Sequence, residues 1–424
     1  MNKMLKGFMV LLLAVLVLAA CGDDASDSGS SNGSSGDQVE LTLFSSLTTE
    51  DEQKALTDAV AQFEEENPDI KIDVNLPTAE YESMLRVKMG ANDMPDLFDT
   101  HGWAVNRYGE YTMDLRDMDW VEDLDPALES IFTDEDGKVY AYPLNQAKDG
   151  LTYNKTLLDE LGIEVPRTFD EFISVLKEIR DETDGEVVPF WFPGSDRYTL
   201  GYFLDLMSTP LLTTAEGHDY SEELLDGSFD WSNYTYLPEQ FLMMQEEDLL
   251  NEDILTAQMH ERAQLFAQNK IAFVAGTMQV GAVHELNEDI EIGVMPLPAI
   301  HEDGPMSWVG GERHTFAISK DTEHEEEAKR FIDFLAQPEI AKQVAEKMDL
   351  PAGLTTVSPD IYFQGDYDEF ADVNVEPYFD RVFLPSGMWD VYATTAQELL
   401  SDQLTPEEVS EKMAAEYTRL RDSE

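Results

Sequence analysis

The sequence predicts an α/β fold in two lobes, and three observations carry that prediction. From Val39 onward, short apolar strands alternate with amphipathic helices, which implies mainly parallel sheets covered by helices. At 424 residues the chain is too long for one compact core. Hydrophobic residues make up 42% and aromatics 10%, so there is ample apolar surface to bury.

The elements follow in order. Val39-Glu40-Leu41-Thr42-Leu43 alternates apolar and polar residues and reads as a first strand ending at a Ser45-Ser46 turn. Thr49 and Glu52 form a capping box ahead of a helix whose inner face carries Ala55, Leu56, Ala59, Val60 and Phe63. Asn67-Pro68 stops it, and Ile70, Ile72 and Val74 alternate as a second strand. A helix over 79–89 and a third strand over 95–99 come next. Residues 140–143 and 150–153 read as extended. Thr168 and Glu171 cap a helix bearing Phe169, Phe172, Leu176 and Ile179. Residues 271–274 and 290–294 are further short strand candidates, and Ala317-Ile318-Ser319 precedes a helix. Helices carrying Ala328, Phe331, Ile332 and Leu335, and then Val409, Met413 and Tyr417, complete the chain. There is no tandem repeat, and composition marks no linker within this body.

The N-terminus reads differently. Lys3 and Lys6 precede an uncharged apolar run over 8–20, the pattern of a secretory leader and too short for a comfortable membrane span. It ends in Leu18-Ala19-Ala20-Cys21, which resembles the lipobox of bacterial lipoproteins. That resemblance implies cleavage after residue 20 and a diacylglycerol on Cys21, the chain's single cysteine, anchoring the protein to the outer face of the cell membrane. Residues 22–37 are mostly Gly, Ser and Asp and have nothing to bury, so 21–38 is expected to be a tether.

Charge and composition exclude several functions. Asp and Glu total 88 against 27 Lys and Arg, a net charge of -61. Such a surface repels phosphate backbones, so no nucleic-acid partner is expected. A salt- or alkali-adapted source suits the charge. One cysteine leaves no disulfide and no thiolate metal site. There is no H-E-x-x-H pair, G-x-S-x-G elbow, Walker loop or G-x-G-x-x-G, and Asp134-Glu135-Asp136-Gly137 reads as a tight turn instead of a calcium loop. No cofactor, no metal and no catalytic role are expected. A glycoside hydrolase working through two of the many acids remains an alternative.

Tryptophans beside turns are the positive signal. Trp103 follows the third strand after His101-Gly102, Trp191 sits in Phe-Trp-Phe-Pro-Gly, Trp308 precedes Val309-Gly310-Gly311, and Trp389 follows Pro385-Ser386-Gly387-Met388. An aromatic face packs against the C–H face of a sugar while nearby amides and carboxylates bond its hydroxyls. Trp120 and Trp231 lack that context and are expected in the core.

In chain order, the segments 65–72, 90–96, 137–143, 153–155 with 166–172, 267–273 and 293–298 resemble the extracellular solute-binding proteins of bacterial ABC importers. The match runs from about Val39 to Leu420 and lies closest to the sugar-binding, maltodextrin-binding-protein-like group. The resemblance implies a two-lobed, type II periplasmic-binding-protein-like fold, each lobe a mainly parallel sheet flanked by helices, with the ligand cleft between them. It implies lobe one from 39–146 and 309–349, and lobe two from 147–308 and 350–424. The cleft would draw on Ser45, Ser46, Asp99, His101, Trp103, Asn145, Asp149, Trp191, Met278, Trp308, Gly310, Gly311, Arg313 and Trp389. Trp103, Trp308 and Trp389 would stack on sugars, and Asp99, Asn145, Asp149 and Arg313 would bond hydroxyls. Met278 and Gln279 stand where the maltodextrin-binding relatives carry a tryptophan, so a different sugar is expected. The implied partners are a small carbohydrate and the transmembrane permease subunits, for a monomeric receptor. The same fold holding a polyamine or a glycerol phosphodiester is the alternative that its acidity raises, and a surface adhesin is another.

Overall fold

The computed structural model describes residues 38–77, 81–100, 104–105, 107–134 and 136–422. Cys21, the leader and the tether lie outside the described residues, as do His101 and Trp103.

Twelve strands are described: β1 (Val39–Phe44), β2 (Ile70–Asn75), β3 (Leu97–Phe98), β4 (Tyr142–Pro143), β5 (Gln146–Asp149), β6 (Leu151–Asn154), β7 (Val188–Phe190), β8 (Ile271–Ala275), β9 (Ile292–Met295), β10 (Trp308–Glu312), β11 (Thr315–Ile318) and β12 (Val375–Pro377). They form a five-stranded sheet β2-β1-β3-β11-β4, a four-stranded sheet β7-β8-β6-β9, and a three-stranded sheet β12-β10-β5.

Each large sheet is buried on both faces. In the first, Leu41 and Leu43 pack with Phe63, Phe331 and Val344, while Phe44 and Phe98 pack with Tyr81 and Tyr108 on the other side. That alternation follows from the period of two along a strand. The second sheet sits in one large core with Phe172, Phe203, Phe241 and Tyr392. Helix starts follow local chemistry. Thr49 with Glu52, Thr168 with Glu171 and Thr405 with Glu408 each make a full capping box, a motif that satisfies two of the helix's free N–H groups. Trp120 and Trp231 are buried.

The sheets are mixed instead of mainly parallel. β1–β2, β1–β3 and β7–β8 run parallel, the expected product of helical crossovers. β11 runs antiparallel to β3 and β4, and β6 antiparallel to β8 and β9. The antiparallel members lie next to the chain crossings, where β4-β5-β6 and β10-β11 deliver the chain from one sheet to another and fix its direction.

The crossing strands are packed tightly. β5 pairs antiparallel with β10, Gly310 opposite Lys148 and Gly311 opposite Ala147. A Cβ on Gly310 would lie 2.2 Å from the Ala147 carbonyl oxygen, and Gly311 holds φ at +117° against Ile131. Only glycine fits either place. The third crossing falls later than expected. Leu354 and Val357 pack in the first core, whereas Ile361 and Phe363 pack in the second, so the stretch after Leu350 does not leave the first core at once. Trp308 and Val309 likewise belong to the second core.

Gly310→Ala is expected to destabilise the fold by more than ~2 kcal/mol in thermal or denaturant unfolding. The control is Gly365→Ala: a Cβ there meets nothing within 4 Å, and the helix Gln364–Glu369 should gain up to ~1 kcal/mol.

Candidate functional site

A cavity of about 930 Å³ gathers Asp149 from β5, Arg313 from the β10–β11 joint, Tyr202 from the helix Tyr198–Leu212, Tyr378 after β12, and Trp389. Arg107 lines it from the side of the first sheet, ion-paired to Glu82 on the helix Tyr81–Ala91. Further along it opens past Leu224, Leu225, Tyr417 and Arg421.

Trp389 sits in the first turn of the helix Met388–Leu400, behind a Gly387 at φ +102°. It is half-buried, parallel to Tyr198 with ring centroids 6.3 Å apart and edge-on to Tyr202 at 6.3 Å. Tyr198 and Tyr202 stand one helical turn apart, which brings both to the same side. Arg197 and the Tyr198 hydroxyl both bond Asp390, fixing that helix start to its neighbour.

Asp149 is almost wholly committed to the protein. Its Oδ2 accepts the hydroxyls of Tyr202 and Tyr378, both at 2.6 Å, and its Oδ1 accepts the Thr277 N–H at 3.3 Å. Burial and the Asp149 charge push both phenols well above their usual range, so they remain donors. Arg313 differs: its guanidinium is exposed to the cavity and makes no side-chain hydrogen bond or ion pair among the described residues. Arg381 pairs with the buried Glu312 of β10. Asp205 also lines the cavity; burial, with the Asp380 charge adding to it, pushes its carboxyl well above the usual carboxylate range.

The other described residues of the expected set lie outside this cavity. Trp308 is only 1% exposed, edge-on to Tyr367 at 5.3 Å and Phe370 at 6.3 Å, and presents no face for a sugar. Trp191 and Met278 are buried in the second core, where the Trp191 backbone N–H donates to the Phe273 carbonyl and the Met278 backbone N–H to the Thr152 hydroxyl. Gly310 and Gly311 serve strand packing. Asp99 is buried and accepts from Ser46, from the Thr315 N–H at 3.2 Å and from the Thr315 hydroxyl at 3.1 Å. Ser45 and Ser46 are buried in the turn beside it. Asn145 accepts the His314 N–H at 3.0 Å and donates to Met348 sulfur. In this arrangement these side chains are occupied by the protein itself.

Sequence reasoning missed Tyr202, Tyr378, Arg107 and Arg381. Tyr378 follows Pro377, so the pattern of an aromatic beside a turn finds it once extended from tryptophan to tyrosine. Tyr202 lies on a helix buried nearly all round, which shows no polar–apolar stripe to single it out.

Two α/β cores joined by crossing strands, with a polar cavity rimmed by aromatic rings, define a receptor architecture, and the chain's relatives are of that class. Residues 48–342 match the bacterial extracellular solute-binding protein family, and the chain belongs to it. Solute-binding proteins are not enzymes. The chain is 47% identical over 418 residues to the melibiose/raffinose/stachyose-binding protein MelE of Bacillus subtilis, covering 98% of this chain and 96% of that one. A sugar transporter protein of Bacillus licheniformis solved with stachyose is 54% identical, with a TM-score of 0.81 over 90% of this chain and all of that one. A binding protein from Bacillus subtilis in an open conformation is 48% identical, with a TM-score of 0.88 over 91% of this chain and 98% of that one.

Tyr378→Phe is expected to cost ~1–3 kcal/mol in chemical unfolding, because it removes a hydrogen bond to a buried carboxylate. Trp308→Ala should cost at least ~3 kcal/mol by the same measurement.

Proposed function

We propose that this protein is a lipid-anchored receptor that captures α-galactosides of the melibiose, raffinose and stachyose type and hands them to a membrane permease. The observation that carries the reading is that one cavity holds a half-exposed Trp389 and an Arg313 whose guanidinium makes no side-chain hydrogen bond or ion pair among the described residues. A flat aromatic takes the apolar face of a sugar ring, and a guanidinium donates to hydroxyls in the plane of that ring. The cavity volume of about 930 Å³ lies near the upper end of the ~300–1,000 Å³ common for small-molecule sites, which suits an oligosaccharide. The names of the two relatives above supply the sugar class.

In this reading Trp389 stacks, Arg313 and Arg107 bond hydroxyls, and Asp149 with Tyr202 and Tyr378 holds the wall that they face. His101 and Trp103 are kept as candidate ligand residues, with Trp103 a further stacking ring. Lobe one takes 39–146, 310–349 and the stretch to about Val357; lobe two takes 147–309 and the rest. Closure of one lobe on the other buries the sugar, and the permease engages the closed form. Lipid on Cys21 keeps the receptor on the outer face of the membrane, beside its permease, as a monomer.

A polyamine finds no excess of carboxylates in the lining: Arg107, Arg313, Arg381 and Arg421 stand there beside Asp149, Asp205 and Asp380. That balance gives a polycation no net attraction to the site.

The test is a thermal-shift series on the purified full-length chain in high salt, with melibiose, raffinose, stachyose, maltotriose and spermidine. A cognate sugar at ~100 times its Kd should add about 2.7 kcal/mol of stability. A shift with the galactosides and no hydrolysis product is expected. A shift with spermidine alone, or release of monosaccharide, overturns the proposal. Trp389→Ala should weaken raffinose binding at least ~10-fold in calorimetry while leaving the melting temperature of the free protein nearly unchanged.

A further inference from the structure

Arg313 and His314 are the two residues between Glu312, the last of β10, and Thr315, the first of β11. Successive side chains of an extended chain point to opposite sides. Arg313 accordingly reaches the cavity, and His314 turns inward, buried.

The joint is held on its backbone side by the first crossing. The His314 N–H donates to Asn145 Oδ1 at 3.0 Å, and its carbonyl accepts the Leu144 N–H at 2.8 Å. On its side-chain side, Nε2 lies 3.3 Å from Glu52 Oε1 and Nδ1 lies 3.6 Å from Asp99 Oδ2. Both carboxylates are buried and otherwise engaged. Glu52 Oε2 accepts the N–H groups of Thr48 and Thr49 in its helix cap, and Asp99 is held by Ser46 and Thr315.

Two buried carboxylates this close need a cation between them, because uncompensated buried charge costs several kcal/mol. The His314 ring occupies that place. The charged and titratable groups that also act on the cluster include Arg313, which attracts Glu52, Glu312, which Asp99 repels, and Tyr81, whose hydroxyl donates to the Asp99 carbonyl. Burial works against charge on the imidazole, but Asp99 and Glu52 outweigh it and raise His314 above its ordinary value of 6.5. Burial would likewise push Glu52 up, and the His314 contact overrides it, holding that carboxyl down to about 2.

We propose that His314 is a positioning residue for solute capture: clamped as an imidazolium between Glu52 and Asp99, it fixes the two-residue joint that carries Arg313 and so holds that guanidinium in the cavity. Nothing in His314 touches the solute; its effect passes through its neighbour. The affinity readout rests on the sugar reading above, and the spectroscopic one does not.

The sign of the pH dependence follows. The imidazolium is fully present below the ordinary histidine value and is lost as pH rises through the raised one, so the clamp fails on the alkaline side.

The experiment is a double-mutant cycle on the full-length chain with raffinose as probe, using His314→Gln, Arg313→Gln and the pair. His314→Gln is expected to weaken raffinose at least ~10-fold in the parent and to change little in the Arg313→Gln background. Equal losses in both backgrounds overturn the proposal. The pH profile of the unmutated protein needs no folded His314 variant: raffinose affinity should fall on the alkaline side, and the Arg313→Gln profile should be flat. A profile equally steep in Arg313→Gln overturns it as well. The third readout needs no sugar. The Arg313 Nε–H resonance, identified by its loss in Arg313→Gln, should be that of an ordered group at neutral pH and should average with solvent-exposed arginines at alkaline pH. An ordered Arg313 signal with that pH response but no raffinose binding sinks the sugar reading and keeps the clamp. Raffinose binding with an Arg313 signal indifferent to pH sinks the clamp and keeps the sugar.

Discussion

Where β10 runs past β5, the two backbones approach so closely that a methyl group at residue 310 would sit 2.2 Å from the Ala147 carbonyl oxygen. That contact sets the position of almost everything around the cavity. Asp149 ends β5, Arg313 follows β10, and the short β12 that leads to Tyr378 lies along the other edge of β10. Three groups of the cavity wall thus come from one small sheet, and a shift of either strand by a fraction of an ångström would move them together. The same strands are also the routes by which the chain passes between the two cores.

The buried polar groups near this sheet come in matched sets. Asp149 meets two phenols and an N–H, Glu312 meets Arg381, and Glu52 and Asp99 meet His314. Such sets add little net stability over a packed apolar core, but breaking one is costly because its partners stay buried. Their value here is directional. A hydrocarbon core can slip by a rotamer, whereas a carboxylate with three donors holds its neighbours at one distance and one angle.

The sequence disclosed the parts whose signals are local. Capping boxes at Thr49 and Thr168, and alternation at Val39 and Ile70, depend on residues a few positions apart, and those elements form where they were expected. Strand direction did not show in the same way, because it depends on which lobe the chain comes from. The cavity was harder still. A tryptophan beside a glycine turn suits a ligand face and a tight core corner equally well, and Trp308 and Trp389 look alike until packing separates them. Asp99 and Asn145 carry hydrogen-bonding groups that a sugar would use, and the fold uses them first. Glu52 was legible as a helix cap, but its second oxygen serves His314 from 262 positions away, which no local pattern reveals.

The same molecule carries a net charge of -61 and yet lines its cavity with four arginines. At a distance greater than a Debye length, a solute feels only the outer acidity, and only weakly in salt. A neutral solute therefore drifts in at a rate that salinity barely alters, and meets arginines and aspartates side by side only once it is inside the cavity. A capture device built this way can work in brines of changing strength with its intake rate left to diffusion and its selectivity to the hydroxyl pattern alone.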